Sequence, residues 1–431
     1  MKNIVWFLKK PVLPYIIIIS SVIISFFYYH KHIAGLPSSD LGPKITSALA
    51  IAHKQPAYFE ADGNMPKDSL TIVNGCTVTP FVLLLHYPLT ALSNCSTKET
   101  WFIIQYLLFA ACALFTIAFT PGPVRRYVQC FAFVAFFVYS QYWFIHLYAG
   151  QVHILYAFLF FLMYALKALK KEFLFGLVVA ITIACRPLFL PAAIMLLIWR
   201  NRRSLQGLVT GFVLLFLFTV FTGSFSYWLE YSKAMKLYSL QMPAADSSHP
   251  EIKFTAPVTY FPPCGAAQAD DTVILHKIAA GRPGGLARPL QSYLLRNNIL
   301  ITNTLFYVLI SFTIIAIIIF FLRQRNRTIS TEQLLCAFFI FYIITEICTP
   351  APRGPYNYML WLFGSFLIIA KGNYAEVLLL LLGLSLNSDH PYIHHGREWG
   401  EVLMMVAGIS LILRRHKLPR EKMNVNPFTI N

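Results

Sequence analysis

Long apolar runs set the pattern of this chain. Pro11–Tyr29, Trp101–Phe119, Tyr127–Ile145, His153–Leu169, Leu205–Phe221, Ile299–Leu322 and Gln333–Cys348 are almost continuously hydrophobic, and two more such runs follow Tyr358. Each is close to the roughly 20 residues that a helix needs to cross a hydrocarbon core, where only helices and closed barrels satisfy their own backbone. Because the runs are continuous, they predict helices.

Three stretches break the pattern. Val78–Leu92 is apolar but interrupted by Pro80 and Pro88 and too short to cross, which predicts a re-entrant or interfacial segment. Residues 173–199 begin and end beside basic clusters, so the chain must enter the membrane and return as two half-length helices joined at Cys185, Arg186 and Pro187. Irregular backbone at that depth is tolerated only where it is buried in protein or lines a cavity. Asp40 to Tyr58 (DLGPKITSALAIAHKQPAY) predicts a short helix with Asp40 at its start and Pro43 in its first turn. Ile45, Ala48, Leu49 and Ala52 form a narrow apolar face at helical spacing, so this helix is expected to lie on the membrane surface.

Composition agrees with the pattern. With 57% hydrophobic and 12% charged residues and a mean hydropathy of +0.60, the chain does not suit an ordinary soluble surface. The expectation is one all-α polytopic membrane domain over residues 1–431, with about ten to twelve transmembrane helices plus broken pieces and no internal repeat.

The net charge of +17 changes the picture only through its distribution. The side that carries the clusters at 2–10, 125–126, 167–171, 200–203, 323–327, 371 and 414–422 holds 20 of the 35 basic residues but only Glu172, Glu332, Glu376 and Glu421 of the 18 acidic ones, leaving the other side nearly neutral. This is the positive-inside signature of a multi-pass protein with both termini in the cytosol, not a nucleic-acid-binding surface. It places 30–77 and 223–298 outside and the tail 414–431 inside. The first span reads as an uncleaved signal anchor. Cys76, Cys95 and Cys264 fall outside; a Cys76–Cys95 disulfide suits an oxidising compartment, but spacing does not decide it.

Topology gathers Asp40, Lys44, His53, Gln151, His153, Arg353, Tyr356, Tyr358, His394 and His395 near the outer face, with Arg186 below them. One carboxylate among cations and hydrogen-bonding groups suits transfer of a sugar from a lipid-linked phosphate. A carboxylate can take the proton of an attacking hydroxyl, and Arg or Lys can stabilise a departing phosphate without a metal or other cofactor.

Asp40 with its Ala-rich helix and Gln55-Pro56-Ala57-Tyr58, then TPFVLLLHYPLTAL, Gly150-Gln151-Val152, and Arg186-Pro187 before a run ending in Arg202-Arg203, resemble glycosyltransferase family 87. The likeness covers about the first half of the chain, and TPAPRGPYNYMLWL looks like the family's late outer turn. The resemblance implies a GT-C fold in the cytoplasmic (inner) membrane, a polyprenyl-phosphate sugar donor, a lipid or glycan acceptor and an inverting mechanism. Asp40 matches the family's general base. Arg186, Arg353, Gln151, His153, Lys44, His53, Tyr356 and Tyr358 are the candidates for donor-phosphate and substrate contacts. Mannose as the moved sugar comes from the resemblance alone. The chain departs from the family at His153, where Asn is frequent, at Arg186, where Lys is frequent, and at Tyr356 or Tyr358, where His is frequent.

Plainer readings stand beside these. Asp40 as a simple N-cap is worth about 1 kcal/mol. Arg186 can pair with Glu346, Gln151 and His153 can form a hydrogen-bonded turn, and Arg353 can cap a helix. His390, His394 and His395 have no companion metal-ligand pattern and read as a solvated loop. A transporter or flippase of lipid-linked sugars is the rival function; the missing inverted repeat and the one-sided gathering of polar groups weigh against it. Protein O-mannosyltransferases and aminoarabinose transferases pair Asp with Glu in the first loop, whereas Leu41 follows Asp40 here.

Overall fold

The computed structural model describes residues 12–33, 38, 40–58, 78–199, 201–246, 330–348, 355–387 and 396–414, with scattered positions between 308 and 319. Over these residues the protein is all-α and membrane-embedded, and no strand forms. Arg353, Cys76, Cys264, His390, His394 and His395 lie outside them, as does most of 223–298.

The first half of the chain builds α1 (Leu13–Ile33), α2 (Leu41–Ala52), α3 (Pro80–His86, tightening into a 3-10 turn at Tyr87–Ala91), α4 (Asn94–Phe119), α5 (Pro123–Phe133), α6 (Gln141–Ala149), α7 (His153–Ala168) and α8 (Glu172–Cys185). After a 3-10 turn at Pro187–Phe189 come α9 (Leu190–Trp199), α10 (Arg202–Phe221), α11 (Phe225–Asp246), α12 (Thr331–Cys348), α13 (Trp361–Lys371), α14 (Tyr374–Asn387) and α15 (Gly396–Leu413).

Among the described residues, α1, α4 and α10 are each long and apolar enough to cross a bilayer singly. The expected span at Tyr127–Ile145 is instead a bent pair. α5 loosens into a π-helical turn at Val134–Val138, and α6 leaves it at 52°. Ser140 starts α6 by accepting from the Tyr142 N–H at 3.0 Å, a cap that also stops α5 from continuing. Other apolar helices, α7 and α14 among them, have 16 and 14 residues and fall short of a full crossing.

The bundle has two chemically distinct ends. At one, Arg125 donates to the carbonyls of Ala370 and Gly372, Lys371 pairs with Glu332 at 3.1 Å, Arg414 pairs with Glu376 at 3.2 Å, and Glu172 takes both Lys167 and Ser204. Arg125, Lys167, Lys371 and Arg414, the members of the basic clusters that take part in these contacts among the described residues, thus meet at one end. At the other, Lys98 donates to the Ile33 carbonyl at 2.9 Å, His30 pairs with Glu99 at 2.8 Å, and the Tyr142 hydroxyl reaches the Asn387 carbonyl. The 16 residues of α7 separate the two ends by about 24 Å.

The 173–199 stretch breaks at Arg186, whose backbone is extended at φ −146° and ψ 97°. α8 and α10 run parallel: Gly176 meets Ser204 and Leu208, and Gly211 meets Ala180 and Leu177. A Cβ on Gly176 would come within 1.9 Å of the Ser204 carbonyl, so only glycine permits this approach. Since both helices start at the basic end, the intervening α9 must carry the chain back to it. The carbonyls freed at the break are met by side chains: Thr79 donates to Ala184 at 2.8 Å and Tyr156 to Cys185 at 3.4 Å. This satisfies the demand that non-helical backbone at depth be hydrogen-bonded.

Candidate functional site

α2 docks by its N-terminal end on the turn between α6 and α7. α6 is buried nearly all round and ends at Gly150, which adopts the left-handed conformation at φ +67°. A Cβ there would also lie 2.7 Å from the Leu41 Cβ, so Gly150 is required both by its backbone and by the closeness of α2. The Asp40 N–H donates to the Ala149 carbonyl at 3.1 Å, and Lys44, only 3% exposed, donates to the Gly150 carbonyl at 3.0 Å.

The Asp40 side chain makes no hydrogen bond to the start of α2. It turns instead to the adjacent turn and accepts from the side-chain amide of Gln151. Behind Gln151 stands Gln105; with its amide assigned so that both ends find partners, the nitrogen donates to the Gln151 carbonyl (3.2 Å) and to His146 Nδ1 (2.9 Å), and the oxygen accepts from the indole N–H of Trp101 (3.2 Å). Nothing in the motifs pointed to Gln105. The available signal was a lone amide inside the apolar run WFIIQYLLF, since polar groups within spans are costly to keep.

The face of α2 that packs is not the one expected. Leu41, Lys44, Ser47, Ala48 and Ile51 are buried, whereas Ala52 is exposed and Leu49 is 42% exposed. The stripe is rotated because two polar side chains find buried backbone acceptors: Lys44 at Gly150, and Ser47 at the Ala57 carbonyl, 2.8 Å away. Burial of the paired polar groups outweighs the apolar periodicity.

Beyond Gln151 the polar band continues along the N-terminal end of α7. The His153 ring lies 4.8 Å from that of Tyr356 and 5.6 Å from that of Tyr156. The Arg186 guanidinium sits 5.9 Å from the Tyr156 ring and donates from Nη2 to Glu346 at 2.7 Å; Glu346 also accepts from the Tyr342 hydroxyl at 3.0 Å. Its Nε–H is buried and finds no acceptor among the described residues. Tyr231 of α11 lies within electrostatic range of Arg186, which brings the segment after α10 to the same place.

Asp40, Lys44, Gln151, His153, Tyr356 and Arg186 therefore share one continuous band of contacts. Two candidates do not. His53 is exposed at the far end of α2, about 20 Å along the helix from Asp40. Tyr358 is buried against Phe137 at 5.4 Å and Tyr142 at 4.5 Å, where it serves packing. Arg353 lies outside the described residues.

A second carboxylate borders this region. Glu230 of α11 accepts from the Ala57 N–H at 3.1 Å, and the Tyr58 ring lies 5.6 Å from that of Tyr231. Burial pushes the Glu230 carboxyl above the usual carboxylate range, against the lowering effect of the Ala57 and Tyr58 N–H groups and of Lys233. Among the described residues Cys95 is disulfide-bonded, while Cys112, Cys130, Cys185 and Cys336 are free.

No known protein family, curated protein or solved structure matches the chain.

Proposed function

We propose that the protein is a membrane glycosyltransferase of GT-C type that moves a sugar from a polyprenyl phosphate to a hydroxyl of a lipid or glycan at the non-cytosolic face. One observation carries this reading: the Asp40 carboxylate forgoes capping its own helix and is oriented by Gln151, beside the buried cation of Lys44, at the end of the bundle opposite the basic clusters.

In the proposed step the acceptor oxygen attacks the anomeric carbon as its proton passes to the Asp40 carboxylate. The bond from the anomeric carbon to the phosphate oxygen breaks with its electron pair going to the phosphate, which inverts the configuration. Gln151 fixes the orientation of the base. Arg186 fits the leaving group, because its Nε–H has no acceptor among the described residues and an unpaired buried donor costs about 1–3 kcal/mol until one arrives. Charge-assisted bonds from a guanidinium to a phosphate oxygen are short and strong.

The test is to incubate purified protein with radiolabelled polyprenyl-phosphate sugars and membrane extract. Label reaching a new glycolipid or glycan supports the reading. Label that crosses a vesicle membrane still attached to its lipid would instead identify a flippase.

A further inference from the structure

A cavity of about 340 Å³ opens where the ends of α1 and α4 meet α2 and the α6–α7 turn. It shares its wall with the site: Ser38, Leu41 and Gly150 line it, directly beside Asp40 and Gln151, and so does Gln105, whose amide touches the Gln151 carbonyl. Its size sits at the low end of small-molecule pockets, roughly 300–1,000 Å³, and suits a single ring and its substituents.

Its charges nearly cancel. Lys98 is buried and bound to the Ile33 carbonyl, and Glu99 is engaged by His30 through both carboxylate oxygens, at 2.8 and 2.9 Å. A phosphate or carboxylate entering here would meet Lys98 but also Glu99, so the lining does not favour an anion. What remains is hydrogen-bonding and aromatic. Ser38 is 1% exposed, and its hydroxyl has no partner among the described residues. The Glu99 carboxylate accepts, and Trp101 adds an aromatic surface. The wall is otherwise largely apolar, with Ile33, Leu41, Phe102 and Leu147, and an orphaned hydroxyl set among such groups is the feature that a hydroxyl-bearing ring with apolar faces would complete.

We infer that this cavity holds a neutral sugar ring and serves as the acceptor subsite. The inference rests on the glycosyltransferase reading: the donor phosphate belongs at Arg186 and the acceptor ring on the other side of the Asp40–Gln151 pair. Ser96, exposed at the start of α4, forms part of the lining and offers a place to close the cavity without touching the core.

The experiment is saturation-transfer NMR on the protein in nanodiscs, with methyl hexopyranosides and inorganic phosphate as probes. Wild type should saturate at least one methyl hexopyranoside, and phosphate should not displace it. Ser96→Trp should reduce the signal at least fivefold and Ser38→Ala at least twofold. Asp40→Asn should leave it intact, since binding does not need the base. No saturation of any glycoside in wild type, an unchanged signal in a folded Ser96→Trp protein, or displacement by phosphate overturns the inference. None of those outcomes bears on the Asp40 chemistry, which the transfer assay judges separately.

Discussion

Gln151 donates its side-chain amide to the carboxylate of Asp40 across 111 positions of sequence. The bond joins the first polar segment to the α6–α7 turn and removes Asp40 from the capping role its position suggests.

If that carboxylate is the general base, Asp40→Asn should lower transfer from a polyprenyl-phosphate sugar by at least about 100-fold, the lower end of the range for general-base catalysis. Asparagine still presents an oxygen to Gln151, so the midpoint of thermal unfolding should stay close to wild type. Turnover near wild type would dismiss the mechanism.

Gly150→Ala should destabilise by about 1–3 kcal/mol, because alanine pays for the left-handed backbone. Its methyl also meets Leu41, so α2 must shift. Thermal unfolding reads the first effect. The second should appear as a fall in transfer larger than the loss of folded protein explains.

Arg186→Gln should weaken donor binding and also destabilise, by about 3–5 kcal/mol for a buried pair broken on one side, since Glu346 is only 2% exposed. Arg186→Gln combined with Glu346→Gln should recover most of the stability and none of the donor affinity. Equal donor affinity in wild type and the double variant would leave Arg186 with a structural role alone.

Glu230 predicts a pH effect of definite sign. Its carboxyl is held above the usual range in the folded state, so the native protein binds more protons than the unfolded one between the two values. Stability should fall as pH rises through that window, just above the ordinary glutamate range, and be flat on either side. The groups acting on it are Lys233, Tyr227 and the N–H groups of Ala57 and Tyr58. Unfolding midpoints measured against pH should lose this slope in Glu230→Gln relative to wild type. Identical slopes would show that another group sets it.

Much of the architecture could be read from periodicity and charge. Continuous apolar runs must become helices because lipid offers the backbone no partners, and this holds for α1, α4 and α10 whatever packs around them. The break at Arg186 was legible for a similar reason: a short apolar stretch between two basic clusters has to turn back. At Gly150 glycine supplies the left-handed backbone that ends α6.

The site itself was legible only in part. Asp40, Gln151 and Lys44 were identifiable as polar residues near one face, but which of them touch depends on how α2 docks. His53 caps the other end of the helix that Asp40 begins and still ends up about 20 Å away, because a straight helix separates what sequence keeps close. Lys44 and Ser47 turn inward against the apolar period because backbone carbonyls from elsewhere in the chain accept their hydrogens. Local pattern records what a residue prefers to bury; the partners that make burial of a charge affordable come from distant segments, and only the folded chain brings them together.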